Sequence, residues 1–305
     1  MKKVLLIRLD KIGDLICTLP ADQILDESRY DVTWAVQKGL GAVVDLGEKK
    51  RRYIELDKSN PSEARSLLSA FLKQNSFDYA ISFQCPWWVN FELFKARIAT
   101  RAGVLSQWHS FLFLNAALRQ KRSQALKHEL EYNLDIVRAT FSLRQNKEYI
   151  FFNIPRPSSS PILEKFKLKS SNYIVVHPGM MGSALNWSQS QYIEKIDELL
   201  KSGKNIVITG TPGDDPYLTD IKRKFLDHPQ VSWLQSKLNL QELVQVLANA
   251  EYVIVPSTGV AHIGASVGAS VKAIFSPVRV QSPTRWAPRG PNVEIWMLYA
   301  PESVF

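Results

Sequence analysis

Short runs of β-branched and aliphatic residues alternate with segments of helical periodicity from one end of the chain to the other. That alternation predicts parallel sheets covered by helices. In the first half the pattern predicts strands at Val4–Ile7, Asp31–Trp34, Tyr53–Leu56 and Tyr79–Ser82. Helices are expected at about 14–27, 39–47 and 61–75, the last opened by the cap-like Asn60-Pro61-Ser62-Glu63, and again over Lys127–Phe141. The Pro and Ser density from Asn153 to Pro161 then marks a linker, which divides the chain into residues 1–155 and 156–305. The second half repeats the alternation, with strands at Tyr173–Val176, Asn205–Thr209, Val231–Leu234, Tyr252–Val255 and Val271–Phe275 and a helix at Leu240–Asn249. Two doubly wound domains in succession imply a cleft between them, with ligands bound at strand C-termini. The chain carries no repeat of solenoid length.

Composition narrows the picture. At 305 residues, with 45% hydrophobic and 10% aromatic side chains, the chain is long enough for two compact units and far from disordered. Lys and Arg number 38 against 29 acidic residues, a net charge of +9 that leans towards the N-terminal half. Such a balance favours nucleic acid, a phosphorylated lipid surface or nucleotide phosphates, and the sign alone does not choose among them. No nucleic-acid-binding motif is found, so nucleic acid is not expected as a partner. Cys17 and Cys85 are too few for a disulfide framework or a zinc site and read as two reduced thiols in a cytoplasmic protein. The apolar run Val4-Leu5-Leu6-Ile7 is shorter than the roughly 7–15 residues of a signal-peptide core, so it reads as a buried strand. The uncharged stretch Tyr252–Val271 is broken by Pro256, Ser257, Thr258, His262 and three glycines and is too polar to span a bilayer.

Four strand-to-helix turns carry candidate chemistry. The first, Arg8-Leu9-Asp10-Lys11-Ile12-Gly13-Asp14, has one glycine and no dinucleotide fingerprint. Asp14 there is either a helix N-cap or a carboxylate placed to accept a proton from an attacking hydroxyl. The second, His177-Pro178-Gly179 through Ser183 to Asn186-Trp187, suits backbone amides directed at a phosphate, although ordinary turns share that look. In the third, Thr209-Gly210-Thr211-Pro212-Gly213-Asp214-Asp215, the acidic pair is either a cap or an acceptor for sugar hydroxyls. The fourth, Pro256-Ser257-Thr258-Gly259-Val260-Ala261-His262, brings small residues to a helix N-terminus whose unpaired amides and dipole favour a diphosphate. His262 is then either structural or turned to the same ligand. No Asp-x-Asp pair or His/Cys cluster with ligand spacing is present, so no metal and no resident cofactor are expected.

These blocks resemble, in order, those of the glycosyltransferase family 9 heptosyltransferases of lipopolysaccharide core assembly. Residues 7–15, Ile-Arg-Leu-Asp-Lys-Ile-Gly-Asp-Leu, resemble the family's opening segment, and Lys127-His128-Glu129-Leu130-Glu131-Tyr132-Asn133 its histidine-glutamate-asparagine helix. His177-Pro178-Gly179 through Asn186-Trp187 resembles its donor loop, and Ser257–His262 its threonine-glycine-histidine block. The resemblance implies a GT-B fold, two Rossmann-like domains facing each other across a cleft, with the acceptor on the N-terminal one and a nucleotide sugar on the other. It implies inverting, metal-independent transfer of heptose from ADP-heptose, with Asp14 as general base. Gly179, Ser183, Asn186, Asp214, Ser257, Thr258, Gly259 and His262 are then expected at the donor. Two positions depart from the family pattern: Leu185 stands where many members have lysine, and Ser257 where many have aspartate.

The acceptor is expected to be a phosphorylated lipid-linked oligosaccharide met by Lys11, Arg119, Arg122 and His128. The basic edge Arg119-Gln120-Lys121-Arg122 beside Trp108–Leu118, with Lys49-Lys50-Arg51-Arg52, would draw the enzyme peripherally to the anionic inner face of the cytoplasmic membrane, unless these clusters are merely solvated faces. Two alternatives remain open: a GT-B enzyme using another nucleotide sugar, and a catalytically silent nucleotide-sugar-binding protein.

Overall fold

The computed structural model describes residues 1–144, 149–180, 182 and 185–298. The chain divides into two units, Met1–Phe152 and Asn153–Phe305. In the first, β1 (Lys2–Arg8), β2 (Tyr30–Gln37), β3 (Arg52–Leu56), β4 (Tyr79–Ser82), β5 (Thr100–Val104) and β6 (Ala116–Leu118) form one sheet in the order β3-β2-β1-β4-β5-β6. In the second, β7 (Ile174–Val176), β8 (Ile206–Ile208), β9 (Val231–Trp233), β10 (Tyr252–Pro256), β11 (Val271–Phe275) and β12 (Val293–Met297) form another in the order β12-β11-β10-β7-β8-β9. Pairing is parallel, as in Leu5 opposite Thr33 and Ala80, or Ile254 opposite Val176 and Lys272. Counted within its own unit, each sheet has the order 3-2-1-4-5-6 of a Rossmann unit, whose switch point lies between the first and fourth strands.

The sequence pattern forms these elements for identifiable reasons. The inner strands are buried on both faces and read as unbroken apolar runs, Val4-Leu5-Leu6-Ile7 and Val253-Ile254-Val255, each wholly buried. One core packs Leu5, Ile7, Ala35 and Ala80 under Leu68, Leu72, Val89 and Leu93, and another packs Ile174, Ile208 and Ile254 under Tyr192, Ile196, Leu218 and Ile221. The helix Pro61–Gln74 begins with its proline at N1, and Asn60 accepts from the Glu63 amide.

The sequence expectations are corrected at three points. The helix expected over 14–27 is a short α-helix, Ile12–Ile16, followed by a 3₁₀ turn, Leu19–Asp22, because Pro20 has no N–H to continue the ladder. The expectations also lacked a strand: after the helix Trp108–Phe113, Ala116–Leu118 pairs with β5 as an edge strand. In the run Lys49–Arg52 three of the four cations are paired. Arg51 is buried against Asp22 (2.7 Å), Lys49 reaches Glu27 (2.8 Å), and Arg52 pairs with Asp31. In the second unit the Pro/Ser-rich stretch is anchored: the Ile154 amide donates to the Ser266 carbonyl (3.0 Å), and Arg156 donates to the Ala248 carbonyl.

Candidate active site

At the switch point of the first unit, β1 ends in Arg8, whose side chain is almost wholly buried. Its Nη2 donates to Asp14 Oδ1 (2.5 Å), its Nε lies 3.0 Å from Asp10 Oδ2, and its Nη1 lies 3.6 Å from Glu129 Oε1. Burial opposes the charge on Arg8, but Asp14, Asp10 and Glu129 outweigh it and push its pKa up. Asp14 is the third residue of the helix Ile12–Ile16, so it is not the N-cap; that place belongs to Lys11, whose side chain makes no capping bond and is exposed. Burial pushes the Asp14 carboxyl above the usual aspartate range, against the pull of Arg8 and with a smaller push from Asp10 and Glu129.

The helix Glu129–Phe141 braces this turn. Glu129 is fully buried and also takes a hydrogen bond from Arg122 Nη1 (2.5 Å), while Arg122 Nη2 donates to Asn133 Oδ1 (3.1 Å). Asn133 Nδ2 donates to Thr18 Oγ1 (3.0 Å), which itself donates to the Asp14 carbonyl (2.6 Å). The sequence expectation of Arg122 as a surface cation is therefore corrected. It is buried in the bracing network, with its guanidinium 5.4 Å over the Tyr132 ring. His128 caps the same helix, its Nδ1 accepting from the Leu130 amide (3.1 Å). Arg119 is exposed and lies 5.9 Å over Phe111, beside exposed Trp108 and Leu112.

In the second unit the switch point lies between the loops after β7 and β10. After β7, His177 Nδ1 meets Thr209 Oγ1 (2.9 Å), and burial pushes its imidazole down, so it stays neutral. Gly179 must lack a side chain, because a Cβ there would collide with the Asp214 carboxyl. Asp214 is 2% exposed; its Oδ2 accepts from the Thr211 amide and hydroxyl (both 2.8 Å), and its Oδ1 is buried without a hydrogen-bond partner among the described residues. Asn186 is spent within the loop, donating to the Pro178 carbonyl (2.8 Å) and accepting from the Trp187 amide (2.8 Å) and the Tyr192 hydroxyl (2.9 Å). Ser183 lies outside the described residues.

After β10 the helix Gly259–Ser266 starts at Thr258, whose side chain does not cap it. Thr258 Oγ1 is buried with no partner among the described residues, an arrangement that leaves a donor and a bare helix N-terminus for a ligand. Ser257 is half-buried, and His262 is buried one turn into the helix. Gly290 touches this helix so closely that a Cβ would strike the Ala265 backbone, which brings the segment carrying Arg285 and Arg289 against it. Leu185, in the lysine-like position, is half exposed.

Sequence reading quoted Arg8 and Asn133 within family-like blocks but gave them no role in the site, and it missed Thr18. An arginine at the buried end of an apolar strand was the available signal, since such a cation must find carboxylates. Among the described residues no group of three or more His, Cys, Asp or Glu side chains could hold a metal ion, and no helix is long and apolar enough to cross a membrane.

Known proteins resemble this chain in sequence and fold. A protein of Haemophilus influenzae, provisionally named a glycosyltransferase, is 28% identical over 94% of this chain and 86% of its own. The structure of E. coli ADP-heptose lps heptosyltransferase II superposes with a TM-score of 0.80 at 16% identity, over 99% of this chain and 92% of that one. That of E. coli heptosyltransferase WaaC with ADP gives 0.73 at 18% identity, over 97% and 93%. The fold is thus that of the GT-B heptosyltransferases, in its two Rossmann-like units. The model of glycosyltransferase family 9 (heptosyltransferase) matches residues 65–303, and this chain, an enzyme of glycosyl transfer, belongs to that family.

Proposed function

We propose that the chain transfers heptose from ADP-heptose to a lipopolysaccharide-core acceptor by a single inverting displacement, with Asp14 as general base. The donor and acceptor classes follow the names of its relatives; the chemistry follows its own residues. The observation that carries the reading is Asp14, a carboxylate at a strand-terminal switch point, oriented by a buried arginine and raised in pKa by burial. A sugar hydroxyl is a poor nucleophile. As its oxygen bonds to the anomeric carbon its proton passes to Asp14, and the bond from that carbon to the diphosphate oxygen breaks with its electron pair on the diphosphate. One displacement inverts the anomeric centre.

The leaving diphosphate gains charge, and the Gly259–Ser266 helix start with the Thr258 hydroxyl is placed to meet it in a partly dehydrated setting. No metal is assigned to this step. Gly179 and the Asp214 carboxyl it touches are assigned to the sugar and nucleotide hydroxyls, the unpartnered Oδ1 being the acceptor. Asn186 supports the loop rather than contacting the donor. Lys11 and Arg119 are assigned to the acceptor's phosphates, and the exposed Trp108, Phe111 and Leu112 to peripheral association with an anionic membrane at its cytoplasmic face.

Leu185, an exposed apolar side chain where the family resemblance expects a cation, favours a second reading in which the donor is another nucleotide sugar. Thermal-shift screening with ADP- and UDP-sugars separates the two, since a ligand of the folded state raises its Tm. The base is tested by Asp14→Asn, which should fold and lose about 10²–10⁴-fold in turnover. Near-wild-type turnover in a folded variant removes Asp14 from that role.

A further inference from the structure

The reversal of strand order between β1 and β4 also opens a cavity of about 250 Å³ that neither the base nor the donor ligands account for. Its floor is a chain of buried neutral groups on three elements: Ser82 at the end of β4, Asn90 in the helix Trp87–Lys95 and His109 in the helix Trp108–Phe113. The hydrogen bonds run in one direction. Ser82 Oγ donates to Asn90 Oδ1 (2.6 Å), and Asn90 Nδ2 lies 2.8 Å from His109 Nδ1. The amide nitrogen can only donate, so His109 Nδ1 accepts and Nε2 carries the proton, which it gives to Gln107 Oε1 (2.6 Å). At the rim the amide side chain of Gln84 is exposed, on a residue with φ of +54°.

The charge balance of this cavity sets its ligand class. No lysine or arginine lines it. His109 is held neutral because burial pushes its pKa down. Its one formal charge, Asp10, is matched by Arg8 (3.0 Å) and Lys58 (2.9 Å). Arg8 and Lys58 are engaged by Asp10, so an anion entering here would meet a carboxylate and no cation that is not already paired. A hydroxyl, which both donates and accepts, matches serine, asparagine and glutamine groups that do the same. Asp10 and Asp14 share Arg8, so the cavity adjoins the turn that carries the base.

We propose that this cavity is the subsite for the acceptor's reacting sugar and that it is built for an uncharged, polyhydroxylated ring rather than a phosphorylated or carboxylated one. The inference rests on the reading of Asp14 as base on the acceptor side, and it places the acceptor's anionic groups outside the cavity, where the exposed Lys11 and Arg119 are assigned to meet them.

The test is direct binding to the full chain, followed through the Asn90 side-chain amide and His109 imidazole resonances. The probes are neutral methyl glycosides (gluco, galacto, manno and manno-heptose) and their 6- or 7-phosphates. At least one neutral glycoside should shift both resonances saturably, and its phosphate should bind at least tenfold more weakly. Gln84→Ala, at an exposed rim position, and Gln107→Ala, which also removes the partner of His109 Nε2, should each weaken the neutral glycoside severalfold. The inference fails if no neutral glycoside shifts Asn90 and His109, if the phosphates bind as tightly, or if both rim variants bind as wild type. Asp14→Asn should retain this binding. Loss of the base reading through retained turnover in that variant would leave the binding result standing, so the two failures are distinguishable.

Discussion

Asp14 and Arg8 show how a single buried cation sets the chemistry of a turn. Arg8 supplies orientation through a 2.5 Å bond, and dehydration supplies basicity by holding the Asp14 carboxyl above the ordinary aspartate range. The consequence for pH is definite in sign. A general base acts only when ionised, and burial moves its protonation to higher pH. The rate of transfer should therefore fall, as pH drops, earlier than an unperturbed aspartate would predict. The kcat/KM profile of the wild-type enzyme should show that acid limb, and the residual activity of Asp14→Asn should lack it; an identical limb in both would assign the titration to another group. Asp14 was readable from sequence because it closes a family-like block. Arg8 was in the same block but looked like the polar end of a strand, since its burial depends on the fold that brings Asp10, Asp14 and the distant Glu129 round it.

At the scale of elements, the helix Gly259–Ser266 is the part most clearly shaped for a ligand. Its N-terminus has no side-chain cap, and the Thr258 hydroxyl is left without a partner among the described residues. Thr258→Val should weaken nucleoside diphosphate binding by roughly 1–3 kcal/mol, the worth of a hydrogen bond to a charged group. Leu185 is exposed on the neighbouring loop, so Leu185→Lys adds a cation without disturbing a core and should strengthen the same binding. Calorimetry on both variants checks the assignment, and unchanged affinity in both would place the phosphates elsewhere. The small-residue run Ser257-Thr258-Gly259 announced this helix start in the sequence. The role of Asn186 was not announced, because the groups that occupy its amide, the Pro178 carbonyl and the Tyr192 hydroxyl, are chosen by how the loop folds back.

For the molecule as a whole, two predictions concern what the enzyme needs around it. Amides and neutral donors are assigned to the departing diphosphate, so exhaustive chelation with EDTA should leave the transfer rate intact; a rate lost to EDTA and restored by magnesium would overturn that assignment. The exposed Trp108, Phe111 and Leu112 sit beside Arg119, an apolar surface edged by a cation. Replacing the three by alanine should lower partitioning onto anionic vesicles about tenfold or more in sedimentation assays, and raising salt should weaken the wild-type interaction. Wild-type partitioning by the triple variant would move the membrane contact to another face.

The sequence by itself determined the α/β alternation, the inner strands of both sheets except β5, and the positions of the turns that carry Asp14, Gly179, Asp214 and Thr258. Those features are local: an unbroken apolar run requires burial on both faces, and a glycine or small polar residue after it marks the exit from the sheet. Strands β5, β6 and β12 were hidden for the complementary reason, whereas the edge strands β3 and β9 were legible. Thr100–Val104 and Ala116–Leu118 are short, with partly exposed residues, and become strands only because β4 offers β5 its free edge and β5 in turn pairs with β6. Charge behaved the same way. Arg51 and Arg122 look like surface cations in a basic run, yet each is drawn inside by a carboxylate, Asp22 twenty-nine residues away or Glu129 seven residues away on the next helix. Only the tertiary structure decided which charges are free, which polar groups are already satisfied and which, like Thr258 Oγ1, have no partner among the described residues, because each of these depends on how the backbone folds side chains together.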